Sequence, residues 1–484
     1  MTAQPSARLR AVDLRAGRAW LLPALVGLVV AALFGTVSLG LHANGRTGMD
    51  LAIFDQAVRH LSRFELPVSS MKSPGMNLWG DHFHPLLVLA APAYWLWDDP
   101  GTLLLVQAAC LGLGAALLAH EARRLLEGRT GIGRGTALLA GLAVGCSFAA
   151  NPGVQYAAVF DFHEVALGVP VLAMACRSLL RRQPRAFLVW SCLLLAVKED
   201  TGLVVLGLAL SAVVMGLRRM GSLVGVLAVA WSVLVLKVVL PALSPTGAWL
   251  YATAVPGIGG QLHNAASAFF GSGGLSRVLL VLLGSGLFLA LGSPLVLALL
   301  PTLGSRAVTG NPAYEVLFNH YNLLPCVVLG FAMVHGLAHL RRRPGLLRAA
   351  CWLLLVLALV NVWLGPARSQ YADRMPEPRR QARAQLLALV PVGASVAADP
   401  YLTPHLTHDH PITQQVRPIR TEQGVRFLDD LGRPLVARYR LLDRQSHANG
   451  DDPVWVGQAL EQFRAQSCRP LAEREGFVLL DCGA

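Results

Sequence analysis

Apolar residues run in long blocks along this chain, broken by short arginine-rich or acidic turns. Blocks near 20–41, 101–120, 135–155, 164–180, 186–198, 202–217, 222–241, 277–291, 293–304, 321–340 and 346–364 carry almost no charge. Several approach the roughly 20 residues needed to cross ~30 Å of hydrocarbon as a helix. Lipid satisfies no backbone hydrogen bonds, so a spanning segment is either a helix or part of a closed barrel. The period-two alternation of barrel strands is absent. The pattern therefore predicts an all-α polytopic membrane protein with about eleven transmembrane helices.

Two apolar stretches do not read as crossings. "HPLLVLAAPAYWLW" (84–97) is short, holds Pro85 and Pro92, and ends in the interfacial aromatics Tyr94, Trp95 and Trp97. It reads as a juxtamembrane or re-entrant helix within a long first outer loop, 42–100. In "DLAIFDQAVRHLSRF" (50–64), Leu51, Phe54, Val58 and Leu61 recur at helical spacing. This predicts an amphipathic helix along the membrane surface, with Asp55 and Arg59 toward its polar side and Asp50 ahead of it as an N-cap.

From about Gly365 the pattern changes. Short strand-like pieces ("ASVAA", "LVARYRLLD", "GFVLLDC") alternate with helix-like ones ("DDPVWVGQALEQFRAQ"). Residues 366–484 thus form a small α/β domain, following a transmembrane domain over 20–365 and an N-terminal tail, 1–19. The first span lacks a small-x-small cleavage site and is longer than a signal-peptide core, so it reads as uncleaved.

Composition agrees with the pattern. Of 484 residues, 54% are hydrophobic and 14% charged, against about 25% charged in soluble domains. The net charge of +13 sits in clusters beside apolar blocks, which marks topology rather than nucleic-acid binding. With the N-terminus in the cytoplasm, Arg123/Arg124/Arg129/Arg134, Arg177/Arg181/Arg182/Arg185, Arg218/Arg219 and Arg341/Arg342/Arg343/Arg348 all fall inside. The C-terminal domain is then extracytoplasmic. Six cysteines lie in apolar blocks, while Cys468 and Cys482 lie in the tail. In an oxidising compartment these two are either a disulfide or two free thiols.

The same topology collects polar residues on the outer face. The first outer loop holds Asp50, Asp55, Asp81, His82 and His84; "FDFHE" supplies Asp161, His163 and Glu164; "KED" is Lys198, Glu199 and Asp200; Glu315, His320 and Tyr321 precede the tenth span. Ionisable groups at the ends of such apolar helices need a cavity or a partner. His82 and His84, with Asp161 and His163, suit a shared divalent metal; the plainer reading is hydrogen bonding at the interface. Lys198 suits a phosphate as a compact point charge, or else neutralises its own acidic neighbours.

"DLAIFDQ", "DHFHPLLVLAAPAYWLW", "FDFHE" and "KED" resemble, in order, the motifs of an uncharacterised bacterial family of multi-pass membrane proteins. That family is similar to the GT-C superfamily of membrane glycosyltransferases. The resemblance implies a GT-C-like fold in the bacterial cell membrane. It further implies transfer of a sugar from a polyprenyl-phosphate donor to an envelope glycan, lipid or protein acceptor, with no certain cofactor. Asp50 would be the general base, with Asp55 or Asp161 as a second acid. Asp81, His82, His84, His163, Glu164, Lys198, Glu199, Asp200, Arg59 and Tyr321 would bind the substrate or its phosphate. GT-C enzymes often carry two adjacent acids after the first span, whereas here Leu51 follows Asp50. A membrane scaffold or sensor, and a lipid or solute transporter, are the rival readings.

Overall fold

The computed structural model describes residues 5–127, 132–251, 256–271, 274–421, 424–446 and 454–483. Arg129, and residues 451–453 of the helix-like tail stretch, lie outside them. Helix α1 (Pro5–Ala43) carries the first apolar block and extends back beyond it. After α2 (Met49–Ser62) and the short α3 (Ala91–Tyr94), helix α4 (Gly101–Leu126) lies against α1. A Cβ added to Gly27 of α1 would meet the Gly112 carbonyl of α4 at 2.7 Å. Small residues permit the close helix approach that replaces hydrophobic driving force inside lipid.

The bundle continues through α5 (Arg134–Ala150), α6 (Pro152–Phe160), α7 (Val165–Leu180), α8 (Pro184–Leu195), α9 (Thr201–Val214), α10 (Arg218–Leu234) and α11 (Leu240–Leu243). Then come α12 (Ile258–Phe270), α13 (Gly274–Gly284), α14 (Leu300–Thr309), α15 (Leu323–His339) and α16 (Pro344–Leu364). Among the described residues five helices are long and apolar enough to cross a membrane, or seven if two bent pairs each count as one span. Five further apolar helices are shorter, at 10–17 residues. The eleven apolar blocks thus exceed the helices that reach full span length.

Two departures have local causes. The block at 135–155 is bent by 50° where α5 meets α6, because Pro152 ends the helical hydrogen bonding and Asn151 restarts it. The Asn151 Oδ1 accepts from Gly153 N at 3.0 Å, and its Nδ2 donates to Ser285 Oγ at 2.6 Å. Helix α12, absent from the sequence expectation, begins "IGG", where two glycines weaken the helical signal.

Helix α2 also differs from its expectation. It starts at Met49 with Gly48 as N-cap, so Asp50 lies in its first turn and not ahead of it. Every residue from Leu51 to Val58 is buried. Its polar side does not face water, because the C-terminal domain covers it. Gln56 Oε1 accepts from Ser70 N at 2.9 Å, and Ser70 Oγ donates to Thr413 O and accepts from Thr413 N, both at 2.9 Å. The stretch 84–97 forms a 3-10 turn (Pro85–Ala90) followed by α3, with Leu86 N donating to Ala196 O at 2.8 Å.

The tail opens with α17 (Pro366–Ala372) and α18 (Glu377–Leu389). Its strands are β1 (Val396–Ala398), β2 (Thr413–Gln415), β3 (Pro418–Thr421), β4 (Gly424–Phe427), β5 (Tyr439–Asp443), β6 (Arg469–Arg474) and β7 (Phe477–Asp481), with α19 (Val454–Ala465) before β6. One mixed sheet runs β2-β1-β5-β7-β6, parallel across β2, β1 and β5 and antiparallel beyond; β3 and β4 pair separately. Alternation along the strands divides two cores. Ala397, Leu442, Val478 and Leu480 meet Val456 and Phe463 of α19, while Val396, Leu441 and Leu479 meet Ala382 and Leu386 of α18. The outer edge of β2 is occupied by Ser70, which removes an open sheet edge. Cys468 and Cys482 form a disulfide joining the ends of β6 and β7, 14 residues apart.

Opening that loop should be felt locally. Cys482→Ala is expected to lower the stability of the tail by about 2–4 kcal/mol, measured as faster limited proteolysis within 439–483 of the detergent-solubilised protein, with the bundle helices unaffected.

Candidate functional site

The loop 161–164 crosses from α6 to α7 directly beneath the start of α2. Asp161 Oδ1 accepts from Gly48 N at 2.8 Å, and the N–H groups of Asp50 and Leu51 also donate to its carboxyl. The free amides at the start of α2 are thus capped by a residue 113 positions away, and not by Asp50. A Cβ on Gly48 would lie 3.2 Å from Asp161 Oδ2 and 3.7 Å from the Tyr401 ring of the tail. Gln107 of α4 pins the same loop: its Nε2 donates to Asp161 O at 2.8 Å and its Oε1 accepts from His163 N at 3.1 Å.

This holds His163 beside Asp50, with Nε2 3.4 Å from Asp50 Oδ2. The His163 ring stacks on His320 at 3.6 Å between centroids and on Phe160 at 5.3 Å. The two neighbouring carboxyls are driven apart in acidity. Burial and the charge of Asp50 push Asp161 well above the usual carboxylate range. Burial acts on Asp50 in the same direction, but His163 and Lys72 outweigh it and hold Asp50 low. Asp50, its side chain 23% exposed, is the ionised member. Burial, then His163 and Lys198, push His320 far below the ordinary imidazole range, so it is neutral.

Lys198 pairs with the buried Glu164 at 2.7 Å. Glu199 accepts from Phe83 N at 3.0 Å and bonds His82 Nδ1 at 2.6 Å. Asp81 meets Lys72 Nζ at 3.2 Å and accepts from the Tyr251 hydroxyl at 3.0 Å, and the Tyr251 ring stacks on His82. Lys72 also contacts Asp430 of the tail at 3.2 Å. Burial opposes its charge, but Asp81 and Asp430 keep its pKa above the ordinary lysine range.

Beyond the stacked imidazoles lies a small, partly open cleft of about 80 Å³. Its polar lining includes Lys198, Asp200, Arg306, Tyr314, His320 and Tyr321. Arg306 donates to Tyr321 O and to Asn322 Oδ1, and lies 5.8 Å over the Tyr314 ring.

The structure therefore brings together Asp50, Asp161, His163, Glu164 and Lys198, with Asp200 and Tyr321 on the adjoining cleft. Asp81, His82 and Glu199 form a neighbouring network. His84 is buried edge-on against Phe54. Asp55 and Arg59 belong elsewhere, which corrects their assignment as second acid and phosphate contact. Asp55 is fully buried, accepts from the Tyr94 and Thr407 hydroxyls at 2.7 Å each, and meets His408 at 3.1 Å. Arg59 is engaged by Asp98 and by His408 O. Both fasten the tail to α2. Two members of the candidate metal set make the hydrogen-bonding contacts of the plainer reading. His82 is taken by Glu199 and His163 by Asp50, and no group of three or more His, Cys, Asp or Glu suited to a metal occurs among the described residues.

Sequence reasoning missed Gln107, Lys72, Tyr251, Arg306 and Asp430. One signal was present for Lys72. The chain has three lysines among its 41 basic residues, and two of them, Lys72 and Lys198, lie here.

Comparison with known proteins gives a family and a distant fold neighbour. A family model described as "Predicted membrane protein (DUF2079)" matches residues 45–430. Among solved structures, the chain is similar to the crystal structure of the Archaeoglobus fulgidus oligosaccharyltransferase in complex with Zn and sulfate. The two are 13% identical with a TM-score of 0.47, over 87% of this chain and 68% of that one. No curated protein matches.

The buried Glu164–Lys198 pair makes a stability prediction. Lys198→Met leaves Glu164 buried without its partner and should cost about 3–5 kcal/mol, most of it recovered by adding Glu164→Gln. Burial opposes ionisation of Glu164, but Lys198 and nearby histidines outweigh it and hold its pKa well below the ordinary 4.5. The pair's contribution is thus complete above that pH and lost as pH falls beneath it. Thermal unfolding of wild type and double variant across that window should converge at the acid end.

Proposed function

The chain belongs to the DUF2079 family of membrane proteins, and we propose that it transfers a sugar from a lipid-phosphate donor to an acceptor hydroxyl at the membrane's outer face. What carries the reading is an ionised, partly exposed carboxylate, Asp50, held by His163 next to a cleft with two cations, Lys198 and Arg306.

The chemistry follows from those charges. The acceptor oxygen attacks the anomeric carbon as the bond to the donor phosphate oxygen breaks, and the electron pair leaves with the phosphate. Asp50 takes the hydroxyl proton, which an ionised carboxylate does as general base. Lys198 and Arg306 meet the charge developing on the departing phosphate, where a fixed cation in a dry site stabilises most. One displacement inverts the anomeric centre. Asp161, which keeps its proton, spares the site a second negative charge beside the base. Tyr314, Tyr321 and His320 give the cleft aromatic faces for a sugar ring. The lipid tail keeps the donor in the membrane where nucleotide sugars are absent. Orientation follows the arginine-rich ends inside and the acidic ends outside.

Asp50→Asn is expected to lower transfer of labelled sugar from extracted lipid-linked donors by about 10²–10⁴-fold in membranes containing the protein. Asp200 also lines the cleft, so Asp200→Asn is the companion: full activity in D50N with loss in D200N would move the base to Asp200. Because His163 and Lys72 hold Asp50 below the usual carboxylate range, activity should persist through neutral pH. It should fall only as acid protonates the base, on the low side of the ordinary 3.8. Unchanged envelope glycans and lipid-linked sugars in cells lacking the protein would overturn the transferase reading.

A further inference from the structure

Roughly 20 Å along α4 from Gln107 and the site, the same helix carries a second buried acid. Glu121 has no exposed surface, although it lies at the end of an apolar helix. A carboxylate there must be paired, and three guanidiniums converge on it. Arg124 Nε and Nη2 lie at 3.2 and 2.8 Å, Arg181 Nε and Nη2 at 2.9 and 2.6 Å, and Arg177 Nε at 3.5 Å.

This arrangement overshoots neutrality. Three guanidiniums bring about 15 N–H donors and three positive charges to a carboxylate with about four acceptor positions and one negative charge. Glu121 cannot engage all of these donors. Nη1 of Arg177 reaches the Met174 sulfur at 3.4 Å, a weak acceptor. The Arg124 side chain is 42% exposed. Above this array the Trp20 ring stacks on His120 at 3.7 Å, with the Arg177 guanidinium 5.9 Å from its centroid. Trp20 is itself partly exposed, as expected of an aromatic residue at the boundary between hydrocarbon and headgroups.

We infer that Glu121, Arg124, Arg177 and Arg181 form a preorganised site for the phosphate of an anionic phospholipid headgroup, with Trp20 against its glycerol end. Glu121 contributes no attraction to an anion. Its part is to draw three flexible side chains into one fork, so that the entropy of ordering them is spent in folding and not in binding. Planar guanidiniums match phosphate oxygens in pairs, and basic pockets between membrane helices take headgroups of this kind. The site is separate from the transfer chemistry proposed above and does not depend on it.

The test uses full-length protein in a nonionic detergent, titrated with phosphatidylglycerol, phosphatidylcholine or inorganic phosphate, and read by thermal unfolding and by native mass spectrometry. Phosphatidylglycerol should raise the melting temperature and remain bound, and phosphatidylcholine should do neither. Inorganic phosphate protecting as well as the lipid would overturn the assignment. Glu121→Gln separates a built site from diffuse attraction, because it removes a negative charge while releasing the fork. Affinity for phosphatidylglycerol should fall at least about tenfold, the loss of one charge-assisted hydrogen bond; equal or tighter binding refutes the site. If Glu121→Gln does not fold, the more exposed Arg124→Gln carries the test, with the same loss expected and unchanged binding refuting the proposal.

Discussion

The capping of α2 by Asp161 is the contact on which the end of the bundle beneath the tail depends. Helix α2 starts in a buried place, where the free amides of its first turn have no access to water. A carboxyl from the loop after α6 meets three of them. That contact fixes where α2 begins and therefore where Asp50 stands. It also fixes the loop that presents His163, which Gln107 grips from the other side. Without it neither the acid nor the imidazole would have a defined position. The cost of burying Asp161 is met by amide donors and by a pKa well above the carboxylate range, and this leaves Asp50 as the ionised member of the two neighbouring aspartates.

The tail domain is part of the same construction. Its residues reach α2 through Asp55 and Gln56, the loop after α2 through Ser70 and Ser73, and the charged network through Asp430 on Lys72. Asp430 N also donates to Lys72 O at 2.9 Å. Two domains of unlike composition thus share one polar seam. The hydrogen bonds along it are buried, so each unmade partner would be expensive.

Hydropathy is a local property, and what it governs was legible. The apolar blocks and the small sheet that follows Gly365 follow from composition within a short window. The gathering of Asp50, His163 and Lys198 at one end follows from counting crossings. What escaped were contacts made at long range. Asp50 looked like an N-cap because the true cap lies 113 residues away. Asp55 and Arg59 looked like the polar face of a surface helix because periodicity reports two environments and cannot tell water from a docked domain. Lys72 had no pattern around it, only its rarity. The Asn151–Pro152 bend also escaped, because the block 135–155 was read by hydropathy alone and hydropathy does not register a break in helical hydrogen bonding.

The separation of partners along the chain bears on how the protein is made. Asp55 finds Thr407, and Lys72 finds Asp430, only after more than three hundred intervening residues have been synthesised and inserted. Until then Asp55 has Tyr94 and Lys72 has Asp81, but neither has its partner from the tail. Ribosomal order therefore makes the polar seam close late. A nascent chain halted anywhere within the bundle would leave that seam open, a mark by which quality control could tell unfinished copies from finished ones.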